Sequence, residues 1–263
     1  MTAVPDHEQR IAAALCGAAA ASPGHDRGDA FGARSAHDML AVAESIAERG
    51  GLDVDDLRQR QLTDTNGTGL LLRALPFGLS TPLDRPRLRH DAYRYAAFAG
   101  ADEGTALVCV AAALVAADLL RFDPVMAAIR VRQSLLEDAP MALLNRLTIL
   151  DPDSEVTAGM VTPTPAADPA ANAAPTSEAA AADTDPGAAL QAALSVLAWT
   201  ECAGVSAVLA RVGGSGQGGV VALAAALAGA ASGACDLPVD AEFAERAGRV
   251  AAALASLAAA AVR

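Results

Sequence analysis

The sequence predicts an all-α protein, a compact multi-helix orthogonal bundle, and three observations carry that expectation. Apolar residues recur at helical spacing through most of the 263 residues, and no run alternates as a half-buried strand does. Hydrophobic residues make up 53% of the chain, enough for a sizeable core. Aromatics are only 3%, so Ala, Leu and Val must fill that core, and small side chains let helix backbones approach closely.

The elements follow in order. His7 to Ala21 forms a first helix, and Ala36 to Arg49 a second that Gly50-Gly51 terminates. Asp53 caps a short helix over Val54 to Arg60. Leu70 to Leu79 is apolar and follows the turn-former Asn66-Gly67. Arg89 to Ala99 and Glu103 to Leu120 come next. Asp123-Pro124 places a cap before a proline at the first helical position, so Pro124 to Leu136 is expected to be helical, with Met141 to Leu150 after it.

Residues 151 to about 187 break the pattern. Pro, Ala and Thr dominate TPTPAADPAANAAPTSEAAAADTDPG, which offers nothing to bury and reads as a disordered low-complexity insertion. Helices resume at Ala188 to Ala210, Val220 to Ala231 and, behind the cap Asp240, up to Val262. These last helices are too apolar to stand alone and are expected to complete the N-terminal core. That makes one domain over residues 1–263 with 151–187 inserted in it.

Charge and composition exclude several function classes. The formal net charge is -12 and every basic residue is Arg, a pattern that codon bias in a GC-rich genome explains. An acidic balance argues against nucleic acid and against anionic membrane surfaces. The longest apolar runs, Thr105 to Ala117 and Val250 to Val262, fall short of the ~20 residues a bilayer requires. MTAVPDHEQR is not a basic signal region. Cys16, Cys109, Cys202 and Cys235 lack metal-ligand spacing and read as free thiols. A cytoplasmic protein is the expectation.

Chemistry gathers at VGGSGQGG, which runs into the small-residue helix VVALAAALAGA. Gly214, Gly216 and Gly219 make a literal G-x-G-x-x-G, with Asp236 ~20 residues on. A dinucleotide-binding unit needs a strand before the glycines, and the preceding segment reads as helix. A phosphate-binding Walker loop needs a Lys, and none follows.

Four stretches, taken in order, resemble the ADP-ribosylglycohydrolase family, which includes the dinitrogenase reductase-activating glycohydrolases. RIAAALCGAAAAS is similar to its opening helix. SAHDMLAVAESIAERGG resembles its TDDTQLALALAESLLERGG, and NGTGLLLRALPFGL its GNGALMRALPVAL, with Asn66, Gly67, Arg73 and Pro76 in register. VVALAAALAGA is similar to the helix behind its Gly-Gly-Asp-Ala-Asp-Thr, and the resemblance spans most of the chain.

That resemblance implies a paired magnesium centre that binds the ribose hydroxyls and activates water. The positions implied as ligands have changed here. Ser35-Ala36-His37-Asp38 stands on Thr-Asp-Asp-Thr, so Ala36 and His37 replace the two acids and Asp38 falls on a threonine. The C-terminal aspartates become Gly216 and Gly218. Ser22 takes the place of an N-terminal aspartate unless an insertion displaces that motif to Asp29. Gly100-Ala101 stands where the family has Thr-His. Magnesium wants oxygen ligands in near-ideal octahedra, and a pair of ions needs several carboxylates.

The expectation is therefore a degenerate, catalytically inactive protein with no cofactor, acting as a binding or interaction module for ADP-ribose, a related nucleotide or a protein. Candidate ligand-binding residues are Asn66, Gly67, Gly213, Gly214, Ser215, Gly216 and Gln217. Backbone amides ahead of a helix N-terminus would take a pyrophosphate without a bridging metal; alternatively, glycine was merely tolerated once catalysis lapsed. An active magnesium-dependent hydrolase would have to recruit Asp29, Asp38 and Asp102. An unrelated Ala-rich helical scaffold is the third reading. Arg73, inside an apolar helix, is expected to make a structural ion pair or carbonyl contacts.

Overall fold

The computed structural model describes residues 6–21, 30–62, 67–149, 185–201, 203–212 and 218–261. Among them are twelve helices and no strand. They are α1 His7–Ala20, α2 Ala30–Arg49, α3 Val54–Gln59, α4 Gly67–Ser80, α5 Arg85–Phe98 and α6 Glu103–Leu119. After these come α7 Pro124–Ser134, α8 Met141–Arg146, α9 Pro186–Trp199, α10 Val205–Val212, α11 Gly218–Ser232 and α12 Ala241–Ala260.

Short aspartate side chains start most of these helices by satisfying amides that have no intrahelical partner. Asp6 and Gln9 exchange hydrogen bonds in a capping box on α1. Asp53, Asp84, Asp102, Asp123, Asp185 and Asp240 each accept a backbone N–H at the head of a later helix. Gly50 ends α2 in the left-handed region, φ +77°.

The scarcity of aromatics shows in how the helices cross. A Cβ on Gly78 of α4 would stand 1.9 Å from the Ala113 carbonyl oxygen of α6. A Cβ on Gly229 of α11 would likewise stand 2.1 Å from the Ala13 carbonyl oxygen of α1, and one on Gly17 of α1 would stand 2.4 Å from the Ala225 carbonyl oxygen. The C-terminal helices thus complete the core that the N-terminal ones begin. Arg10 secures the same crossing, donating from Nη1 to the carbonyls of Ala230 at 3.1 Å and Leu119 at 3.2 Å. Arg246 ties α12 to α2 through Glu44 at 2.9 Å.

Several boundaries differ from expectation for local reasons. Helix α2 begins six residues before Ala36, at Ala30. Leu70–Leu79 extends back to Gly67, and α5 begins at Arg85 because Asp84 caps it ahead of Pro86. Asp185 and Pro186 start α9 within the stretch assigned to the insertion. The remainder of that stretch up to residue 184 (151–184) lies outside the described residues, as does Leu150 before it. Ala188 to Ala210 is not continuous: Glu201 (φ +50°) and Gly204 (φ +112°) break it into α9 and α10. Asp236 then caps α10 from 30 residues away, accepting from the Ser206 backbone N–H at 3.0 Å.

Candidate functional site

Helices α2, α4 and α11, which carry the positions singled out by the sequence, pack on one another. Near the start of α2 three consecutive residues take three environments. Ala36 is buried, 1% exposed. His37 is exposed and meets the Phe243 ring of α12 edge-on, centroids 5.2 Å apart. Asp38 is half-buried and forms an ion pair with Arg73 Nη2 of α4.

Arg73 is the centre of this arrangement. Its side chain is only 5% exposed, and its Nη1 donates to the Leu62 carbonyl at 3.4 Å. The sequence anticipated an ion pair or a carbonyl contact, and both are present. Its Nε is buried with no hydrogen-bond partner among the described residues, and the same holds for the hydroxyl of Tyr95 on α5. Burial pushes the Tyr95 phenol above its ordinary range, against the opposing charge of Arg73. The arginine was legible as an unusual residue in an apolar run; its partner, 35 positions away, was not.

Gly67 begins α4 with φ +59°, a left-handed conformation that a Cβ disfavours. Gly218 begins α11 and is half-buried. Ser22, Asp29, Asn66, Gly213, Gly214, Ser215, Gly216 and Gln217 lie outside the described residues.

Asp38 and Asp102, the two described acids considered as substitute ligands, have other partners. Asp102 caps α6, accepting from the Thr105 N–H at 2.7 Å, and this hydrogen bond holds its carboxyl below the usual range. Asp38 is neutralised by Arg73. His90 is exposed on α5.

A magnesium pair does not fit the described donors. Ala36 and Gly218 bring no ligating side chain, His37 offers nitrogen where magnesium takes oxygen, and Asp38 already faces a guanidinium. Among the described residues no group of three or more His, Cys, Asp or Glu is gathered to hold a metal ion. No described helix is long and apolar enough to cross a membrane.

No protein-family model and no curated protein matches this chain. A solved structure described as an ADP-ribosylglycohydrolase-related protein complex is similar to it at a TM-score of 0.62 and 18% identity. The likeness covers 96% of this chain and 99% of that one, so it is a likeness of the fold as a whole rather than of one segment. The chain has the all-α fold of ADP-ribosylglycohydrolase-related proteins.

Proposed function

We propose that this protein is a non-hydrolysing relative of the ADP-ribosylglycohydrolases that serves as a binding or interaction module, with ADP-ribose or a related nucleotide as the candidate ligand. The observation that carries the proposal is the Asp38–Arg73 pair. Hydrolysis at a magnesium pair requires carboxylates free to neutralise two divalent ions. Here Asp38, the one acid among the three consecutive positions Ala36, His37 and Asp38, is matched by a buried guanidinium. Loss of metal stabilisation forfeits several kcal/mol from the barrier, about tenfold in rate for each 1.4 kcal/mol.

Binding does not need the metal. In sequence Gly213, Gly214, Ser215, Gly216 and Gln217 precede the N-terminus of α11, and a helix N-terminus favours an anion through its free amides and its dipole. Calorimetric titration of ADP-ribose, with magnesium and with chelator, tests the reading alongside release of ADP-ribose from an ADP-ribosylated protein. Binding unaffected by magnesium, with no release, is the expected pair of results. Release of ADP-ribose that a chelator abolishes would refute it.

A further inference from the structure

Away from the candidate site, α7 departs furthest from an ordinary solvated surface. Val125, Met126 and Ile129 on this helix, and Leu136 just past its end, are between 43% and 57% exposed. Val125 and Ile129 sit one turn apart on the face opposite the one that buries Pro124, Ala127, Ala128 and Val131. Four large apolar side chains exposed within twelve residues are the kind of cluster that a partner surface buries.

The border of the stripe is cationic. Arg121 and Arg130 both lie over the Phe122 ring, 5.5 and 4.4 Å from its centroid, and Arg130 also approaches Asp118 at 3.6 Å. Arg132 projects from the last turn of α7. Neither Arg121 nor Arg132 has an acidic partner among the described residues. Helix α7 itself contains no acid. Its cap Asp123 accepts from the Met126 N–H at 2.9 Å, and Asp138 is paired with Arg89. Glu137, beyond Leu136, is the one remaining acid of this stretch.

We infer that this face docks an amphipathic helix from a protein partner whose apolar stripe is bordered by Asp and Glu. Charge complementarity selects that occupant. A second copy placed face to face would set guanidinium against guanidinium. An anionic bilayer would have to attract a chain of net charge -12. Guanidiniums already stacked on a ring lose little freedom on binding, and arginine and aromatic residues anchor many interfaces. The inference rests on the reading of this chain as an interaction module and not on a nucleotide in the cleft, so peptide binding and ADP-ribose binding fail separately.

Two labelled helical peptides of about 18 residues, sharing one leucine stripe but bordered by Glu in one and by Lys in the other, supply the probe for fluorescence anisotropy against the full chain. The Glu-bordered peptide is expected to bind and the Lys-bordered peptide not to. Arg121→Glu with Arg132→Glu should weaken the first about tenfold or more and confer binding of the second. Ile129→Ser should weaken binding as well, while Arg249→Glu on α12 should leave it unchanged. Circular dichroism of each variant reports that it is folded. Equal affinity for both peptides, or none for either, overturns the inference. Ile129-dependent capture by phosphatidylserine vesicles overturns it in favour of a membrane, and Ile129-dependent self-association in favour of a homotypic contact.

Discussion

Arg73 of α4 reaches Asp38 of α2 and neutralises it in a part of the fold where Arg73 is itself almost wholly buried. The pair is easier to break than to replace. Removing one partner from a buried ion pair costs about 3–5 kcal/mol because the other charge is stranded, whereas removing both for apolar side chains of similar size is often neutral. Asp38→Ala is therefore expected to lower stability by several kcal/mol, less than the upper figure because Asp38 is partly exposed. Asp38→Leu with Arg73→Met should recover most of the loss. Urea unfolding of the parent, of Asp38→Ala, of the single variants Asp38→Leu and Arg73→Met, and of the double variant checks both, and additive losses in the double would show that the two residues do not act as a pair.

Magnesium should leave the thermal midpoint unmoved. A ligand at a hundred times its Kd stabilises the native state by about 2.7 kcal/mol. For a domain of this size that is a shift of several degrees, at roughly 2–4 °C per kcal/mol. Scanning fluorimetry with magnesium and with chelator would reveal such a shift, and finding one would contradict the reading of a chain without a metal centre.

How far the sequence could be read depends on the range of each interaction. Helix starts are local: Asp53, Asp102, Asp123 and Asp240 announced themselves through an oxygen that reaches only two or three residues ahead. The restart after Trp199 is not local, although Gly204 at the break is. WTECAGVS offers no proline, and α10 is started by Asp236, which no window around Ser206 contains. The site divides in the same way. Ala36, His37 and Gly218 could be judged as ligands from side-chain chemistry alone, while the engagement of Asp38 by Arg73 depends on α2 meeting α4.

Three glycines at first sight alike should respond with opposite signs to alanine. In a helix interior Ala is preferred to Gly by about 0.8–1 kcal/mol. On α12 a Cβ at Gly248 meets nothing within 4 Å, so Gly248→Ala should stabilise. At Gly78 and Gly229 the new methyl would overlap a backbone carbonyl of the neighbouring helix, at 1.9 and 2.1 Å. Backbone cannot rotate aside, and overpacking typically costs about 1–3 kcal/mol or more, which exceeds the propensity gain. Thermal midpoints measured on the three variants settle the signs. Stabilisation by Gly78→Ala would mean that α4 and α6 do not cross as described.

Asp236 should prove worth about 1 kcal/mol through the helix it caps. Its carboxylate accepts from the Ser206 N–H at 3.0 Å and from the Ser206 hydroxyl, and those hydrogen bonds lower its pKa. Asp236→Ala leaves the first amides of the eight-residue α10 unsatisfied, and an element that short has little else to hold it. Faster amide exchange confined to α10 and the α11–α12 connection is the expected result. Uniform acceleration across the chain would place the role of Asp236 elsewhere.

Acid should unlock the cluster around α3. Asp56 is buried among cations, with Arg60 Nε at 2.7 Å and Arg49 Nη2 at 3.1 Å. Burial pushes its carboxyl upward, but the Ser45 hydroxyl and the guanidiniums of Arg60 and Arg49 outweigh that and hold it at about 2, against an ordinary 3.8. A carboxyl with a folded-state pKa below its unfolded value binds fewer protons when folded, so its contribution is complete above the unfolded pKa. It is lost as pH falls through the window from 3.8 toward about 2. Arg60 also holds Glu48 at 2.6 Å, so protonating Asp56 loosens the link between α2 and α3. Asp56→Asn should lower the urea midpoint at neutral pH, and the gap between variant and parent should narrow steadily below about pH 4. A gap of constant width down to pH 3 would show that the charge on Asp56 contributes nothing to holding α3 in place.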